Sequence, residues 1–232
     1  MPVPPHDQST PIRKPLRVVG VDGCKHGWVA VRLVDGAVEW AGVYPDFATL
    51  LASENATVVG VDIPINLPAT GARGIDRLVR ELLRPRQSTL FLMPPRPVMA
   101  ASTHAEAVAL CRALGLPGIS AQGYALREKI FEVERVLQPG RVVVEVHPEL
   151  SFTVMNGAPL LAKKSSWTGF VERKALLERH GLMLPGALPG LERAAVDDVV
   201  DAVAAAWTAH RVALEQARVV RDPEQPESAL YA

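Results

Sequence analysis

The sequence predicts a single α/β domain built on a mixed sheet, and three observations carry that reading. A β-rich run, LRVVGVD at 16–22, is followed by a second, GWVAVRLV at 27–34, and then by Asp35-Gly36. That dipeptide after a strand is a strong hairpin signal. TVVGVDI at 57–63 is almost continuously apolar, as a strand buried on both faces should be. RVVVEV at 141–146 is another such run, reached only after a long helical stretch. Strands joined first by hairpins and later through helices describe a sheet that is antiparallel at its start and parallel afterwards.

Residues 1–15, rich in proline and polar side chains, read as a flexible leader without the apolar core of a signal peptide. Residues 16–22, 27–34 and 37–44 are three antiparallel strands, a short helix starts near Asp46, and 57–63 is the fourth strand. Beyond it, 74–83 reads as a helix, 85–97 as an ordered loop, and 103–114 and 122–137 as two further helices. Together, about 64–138 forms a helical insertion before the fifth strand at 141–146. Helices follow at 167–180 and, alanine-rich, at 196–218, and 219–232 reads as a fraying polar tail. The expectation is five strands in one domain, 16–218.

Composition narrows the function. The chain has 232 residues, 48% hydrophobic and 22% charged, enough for one large buried core. Its 25 basic residues balance 25 acidic ones, whereas proteins that grip long duplexes usually carry a basic excess. Any nucleic-acid contact must therefore be local. Cys24 and Cys111 make no disulfide framework or CxxC metal site, and no apolar run reaches membrane-span length. A soluble, cytoplasmic protein without a membrane partner is expected; oligomeric state is not legible.

The acids on the strands carry the chemistry. Asp22 follows VVGV, Asp62 follows a second VVGV, and Glu145 follows VVV. A charge in such a run is costly unless it is paired, hydrogen-bonded or bound to a cation. Asp198 and Asp201 in DDVVDAVAAAW, three apart, share a helix face with small alanines, while Asp197 reads as the helix cap. Each has an ordinary explanation: a turn at Asp22 or Asp62, an arginine partner for Glu145, helix-dipole acids at Asp198 and Asp201. Convergence at one sheet edge explains all five at once. Oxygen ligands without His or Cys clusters favour Mg2+ or Mn2+, and such a set can hold two ions roughly 4 Å apart for in-line phosphoryl displacement.

Lys25 and His26 follow the first aspartate and could meet a phosphate or move a proton, with a solvated turn as the alternative. His147 lies two residues past Glu145, either beside the carboxylates or satisfied in the core. Arg73, Arg77, Arg80, Arg84, Arg86 and Arg96 face only Asp76 and Glu81, a candidate phosphate clamp or a solvated helix face. Lys163 and Lys164 read as a surface pair.

The stretches VGVDGCKHGWVAV, VGVDIPINLP, RGIDRLVR, EKIFEVE, VEVHPELSF and DDVVDAVAAAWTAHR, spanning about 18–211, resemble the DUF429 family of predicted ribonuclease H-like nucleases. The last is also similar to the D-x-x-D-A helix of Holliday-junction resolvases. The resemblance implies a ribonuclease H-like fold, with Asp22, Asp62, Asp198 and Asp201 as metal ligands and Glu145 as a fifth site residue. Lys129, within EKIFEVE, joins Arg73, Arg77 and Arg80 as a substrate contact. The expected function is divalent-metal-dependent hydrolysis of phosphodiester bonds in nucleic acid. The alternatives are a small-nucleotide phosphodiesterase, a non-catalytic binding module, and an ATP-using phosphotransferase. The last is disfavoured by a single domain and the lack of a Walker glycine loop.

Overall fold

The computed structural model describes residues 13–184, 186 and 190–232; most of the expected leader lies outside the described residues. β1 (Arg17–Cys24), β2 (Gly27–Val34) and β3 (Ala37–Tyr44) form the antiparallel meander. Asp35 and Gly36 turn between the last two at φ of 47° and 85°, the left-handed backbone that favours an Asp-Gly pair. α1 (Phe47–Ser53) begins at Asp46, whose carboxylate accepts from the Thr49 N–H. β4 (Val58–Val61) pairs in parallel with β1, and β5 (Val142–Val146) in parallel with β4.

The insertion before β5 holds α2 (Gly74–Leu82), a 3-10 turn (Gln87–Thr89), α3 (Arg96–Met99), α4 (His104–Ala113), α5 (Ala121–Ala125) and α6 (Arg127–Val136). The loop expected at 85–97 thus contains helical turns, and the helix expected over 122–137 is two, parted at Leu126. α7 (Pro148–Asn156) was not foreseen. Pro148 opens it, in the position where a helix has no use for an N–H. α8 (Trp167–Arg179) and α9 (Val196–Ala213) follow, the latter stopping short of the expected 218. Ala195, not Asp197, is its N-cap residue.

The expected tail is a correction to the fold. Residues Val219–Asp222 and Gln225–Tyr231 are strands β6 and β7, so the sheet has seven strands in the order β3-β2-β1-β4-β5-β7-β6. Prolines and charges masked a period-two pattern in which Ser228, Leu230 and Ala232 are buried. The hairpin is fastened to α2: Gly74 N–H donates to Gln225 Oε1 at 3.2 Å, and Gln225 Nε2 donates to the Ala72 carbonyl at 3.2 Å.

Both sheet faces are covered. Trp28 and Ala30 face a core with Phe47, Met93 and Ile130, while Val29, Val31 and Leu33 face one with Phe152, Leu177 and Val203. None of the described helices is long and apolar enough to cross a membrane. On the second face α9 rides directly on β1 and β4, whose Gly20 and Gly60 are register partners. A Cβ added at Gly20 would stand 2.0 Å from the Ala206 nitrogen and 2.1 Å from the Ala202 carbonyl oxygen. Gly20→Ala must therefore push α9 off the sheet. We expect a loss of about 3 kcal/mol or more, read by urea unfolding, with the Asp201 side chain displaced along with the helix.

Candidate metal centre

β1 and β4 are parallel, so their carboxyl ends deliver acids to the same edge. Asp22 lies near the end of β1; Asp62 directly follows β4, its N–H donating to the Val21 carbonyl at 2.9 Å. Asp201 directly precedes Ala202, the residue of α9 that crosses Gly20. One carboxylate oxygen from each of Asp22, Asp62 and Asp201 lies within 4.8 Å of the others. Asp22 and Asp201 are buried. Asp22 Oδ1 accepts the Gly23 N–H at 2.6 Å. Asp201 Oδ1 is buried and has no hydrogen-bond partner among the described residues.

Burial and mutual repulsion shift these groups together. Burial pushes the Asp22 carboxyl well above its ordinary range, and the charges of Asp62 and Asp201 add to it. Asp62 is pushed up to about 8 by burial and by Asp201. Asp201 is pushed up to about 6 by burial, opposed by Lys164, whose Nζ stands 2.5 Å from Asp201 Oδ2. Burial alone would lower the Lys164 ammonium, but Asp201, Asp22 and Asp62 more than offset it and raise its pKa. Sequence reasoning had put Lys164 on the surface. No spacing in AKKSS distinguishes a lysine folded back onto the sheet edge from one left in water.

Glu145 requires a correction. Arg73 forms a two-pronged contact with it, its Nη1 donating to Oε1 at 2.9 Å and its Nη2 to Oε2, which also accepts the Ile65 N–H at 2.8 Å. Arg73 Nη1 further donates to Asp76 Oδ1 at 2.8 Å, and Asp76 Oδ2 accepts the Met93 N–H at 2.7 Å. Glu145 thus ties α2 to β5; it lines the same cleft as Asp22 and Asp62 but lies outside the three-aspartate cluster. Arg73, 1% exposed, also lines that cleft, but both of its Nη atoms are engaged, with Glu145, Asp76 and the Ile65 carbonyl, rather than free to clamp a phosphate. Glu149 and Arg173, unremarked in the sequence, repeat the device in α7 and α8 at 2.6 Å.

The other expected residues divide. Asp198 is half-buried at the start of α9, outside the cluster but close enough to raise Asp22 further. Burial, then Asp197, raise Asp198 itself. The cleft, about 230 Å³, opens at this sheet edge, and Lys129 lines it beside Asp22, donates from Nζ to the Gly27 carbonyl at 2.6 Å and stands 4.2 Å from the Trp28 ring centroid. His147 lines the cleft as well. Its Nε2 is 3.4 Å from the Thr89 carbonyl, its Nδ1 has no partner among the described residues, and burial lowers it to about 4. Lys25 sits exposed in the β1–β2 turn, and Arg77 is exposed over a different groove with Leu116 and Pro117. Neither lines the cleft, nor does Arg80.

Fold and site define an α/β protein whose parallel strands and final long helix bring three aspartates to one point that a cation can occupy. The chain belongs to the family described as Protein of unknown function (DUF429), whose model matches residues 20–225. Comparison with curated proteins and with solved structures gives no match.

Proposed function

We propose that this protein is a ribonuclease H-like, cytoplasmic phosphodiesterase that cuts nucleic acid with Mg2+ or Mn2+. The observation that carries the reading is the meeting of three carboxylates at one point, one of which, Asp201, also buries an oxygen, Oδ1, with no partner among the described residues. Left without a cation, three such groups in one spot are costly. All three donors are hard oxygens, which suit Mg2+ and Mn2+. Three antiparallel strands followed by parallel β4 and β5 agree with the fold the resemblance implies.

Asp22, Asp62 and Asp201 would hold the ion, with Asp198 beside them to share a second. A bound ion would lower the pKa of the attacking water and neutralise the leaving oxygen. The chain supplies the rest. Lys164 exchanges Asp201 for a phosphate oxygen. Neutral His147, with Nε2 donating to the Thr89 carbonyl, presents Nδ1 as an acceptor for a water or hydroxyl proton. Lys129 adds positive charge beside Asp22.

The Lys164–Asp201 contact also favours a second reading, in which the ammonium is the permanent cation of a non-catalytic binding module. Manganese calorimetry separates the two, followed by cleavage assays on single-stranded, duplex and branched nucleic acid. We expect the wild type to bind Mn2+ more tightly than about 1 mM, the weak end of protein cation sites. Lys164→Met should bind it about tenfold more tightly, a competing unit charge having gone, yet cleave more slowly. No Mn2+ binding by either form, with Lys164→Met merely less stable, would leave the binding module.

A further inference from the structure

A cavity of about 480 Å³ opens beside the three aspartates, between the loop around 86–89 and the loop at 163–165. Its wall carries Arg86, Ser88, Lys163, Lys164 and Ser165. Arg86 is not spent elsewhere. Its Nη1 makes one long contact, 3.3 Å, to the Leu161 carbonyl, and its buried Nε has no partner among the described residues. Lys163 is exposed and has no ion-pair partner among the described residues. Among the described residues the acids on the wall are Asp62, Asp201 and Glu149. The first two belong to the aspartate cluster, and Arg173 neutralises the third.

The cleft beside Asp22, about 230 Å³, mixes Leu90, Met93 and Leu126 with charged side chains that include Arg73, Lys129 and Glu145. The two lobes meet at Asp62, Thr89, Phe91, His147 and Lys164. One side of the cluster therefore adds Leu90, Met93 and Leu126 as apolar surface, and the other offers guanidinium, ammonium and hydroxyl donors.

We propose that the basic lobe is an anion subsite holding the phosphate next to the scissile one, so that the substrate is a nucleotide chain carrying a second phosphate one nucleotide away. The substrate assignment rests on the phosphodiesterase reading; the anion site rests on Arg86, Lys163 and the hydroxyls alone. Arg86 meets the phosphate through its fork, Lys163 adds a mobile charge at the rim, and Ser88 and Ser165 donate hydroxyl hydrogen bonds. Lys164 stands between the two phosphates.

The test uses three probes on the full chain with EDTA present: a thymidine dinucleotide with no terminal phosphate, with a 5′-phosphate, and with a 3′-phosphate. One of the phosphorylated forms should bind at least about tenfold more tightly than the unphosphorylated one, the worth of one charge-assisted contact. Its advantage should shrink as salt rises. Arg86→Met with Lys163→Met should erase that advantage. Lys163→Met alone, at an exposed position, should reduce it without touching the fold. Equal binding of the three probes, no binding of any, or an advantage that survives in the double variant would overturn the subsite. Mn2+ titration runs in parallel: phosphate discrimination without Mn2+ binding would sink the phosphodiesterase reading and leave the anion site standing.

Discussion

Asp22→Asn is expected to lower Mn2+-supported phosphodiester cleavage by a hundredfold or more. Loss of a residue that merely orients a ligand costs roughly 10- to 100-fold, and a ligand itself should cost at least as much. Metal binding, read by calorimetry, should weaken in parallel. The same change should stabilise the metal-free protein, because one of three mutually repelling buried carboxylates becomes neutral. The sign of the pH dependence follows from Asp62. Its carboxyl titrates near 3.8 when unfolded and is pushed up to about 8 in the fold. The folded state therefore holds the proton more tightly across that window. The stability it contributes is fully present below about pH 4 and is lost as pH rises through about 8. Metal must displace that proton, so Mn2+ affinity should climb over the same range. Thermal melts in EDTA at pH 5 and pH 8, repeated with Mn2+, check both. A metal-free protein more stable at pH 8, or a flat Mn2+ affinity, would contradict the coupled cluster.

Arg73→Met should be strongly destabilising, on the scale expected for Gly20→Ala. Arg73 binds Glu145, Asp76 and the Ile65 carbonyl at once, and its removal strands two buried carboxylates. Breaking a buried pair typically costs about 3–5 kcal/mol, which for a chain of this size is roughly 6–20 °C in Tm. Arg73→Met combined with Glu145→Leu should recover part of that loss, since an apolar replacement of both partners removes the uncompensated charge. Arg77→Ala, one helical turn along and exposed, should stay within about 0.5 kcal/mol. A mild effect of Arg73→Met, comparable to that of Arg77→Ala, would show that the Glu145 contact is not a structural tie.

The contrast between Arg73 and Arg77 marks what a single chain of letters discloses. The succession of strands through β5 and the hairpin at Asp35-Gly36 were legible from local pattern, an apolar run and a turn dipeptide. Of the five acids expected to converge, Asp22 and Asp62 at strand ends and Asp201 on the α9 face do meet, whereas Glu145 and Asp198 stand outside the cluster. The two-pronged grip on Glu145 was not legible, since the partners lie 72 residues apart and an arginine in RGIDRLVR looks the same paired or free. Lys164 and Arg86 were misjudged or left undistinguished for that reason: long side chains are placed by the fold around them, not by their neighbours in sequence. The β6–β7 hairpin was lost to its prolines and charges. Its burial is sparse because β7 pairs with β5 at only Glu145↔Leu230 and Val146↔Tyr231.

That late hairpin has a consequence for biosynthesis. As the ribosome extends the chain, every other described element exists before β7 does, including α9 and the three aspartates. Until β7 arrives, the outer side of β5 is an open edge made mostly of valines, the kind of template that recruits another chain. The nascent protein thus passes through an interval in which its three-aspartate end is assembled while one edge of its sheet is still open.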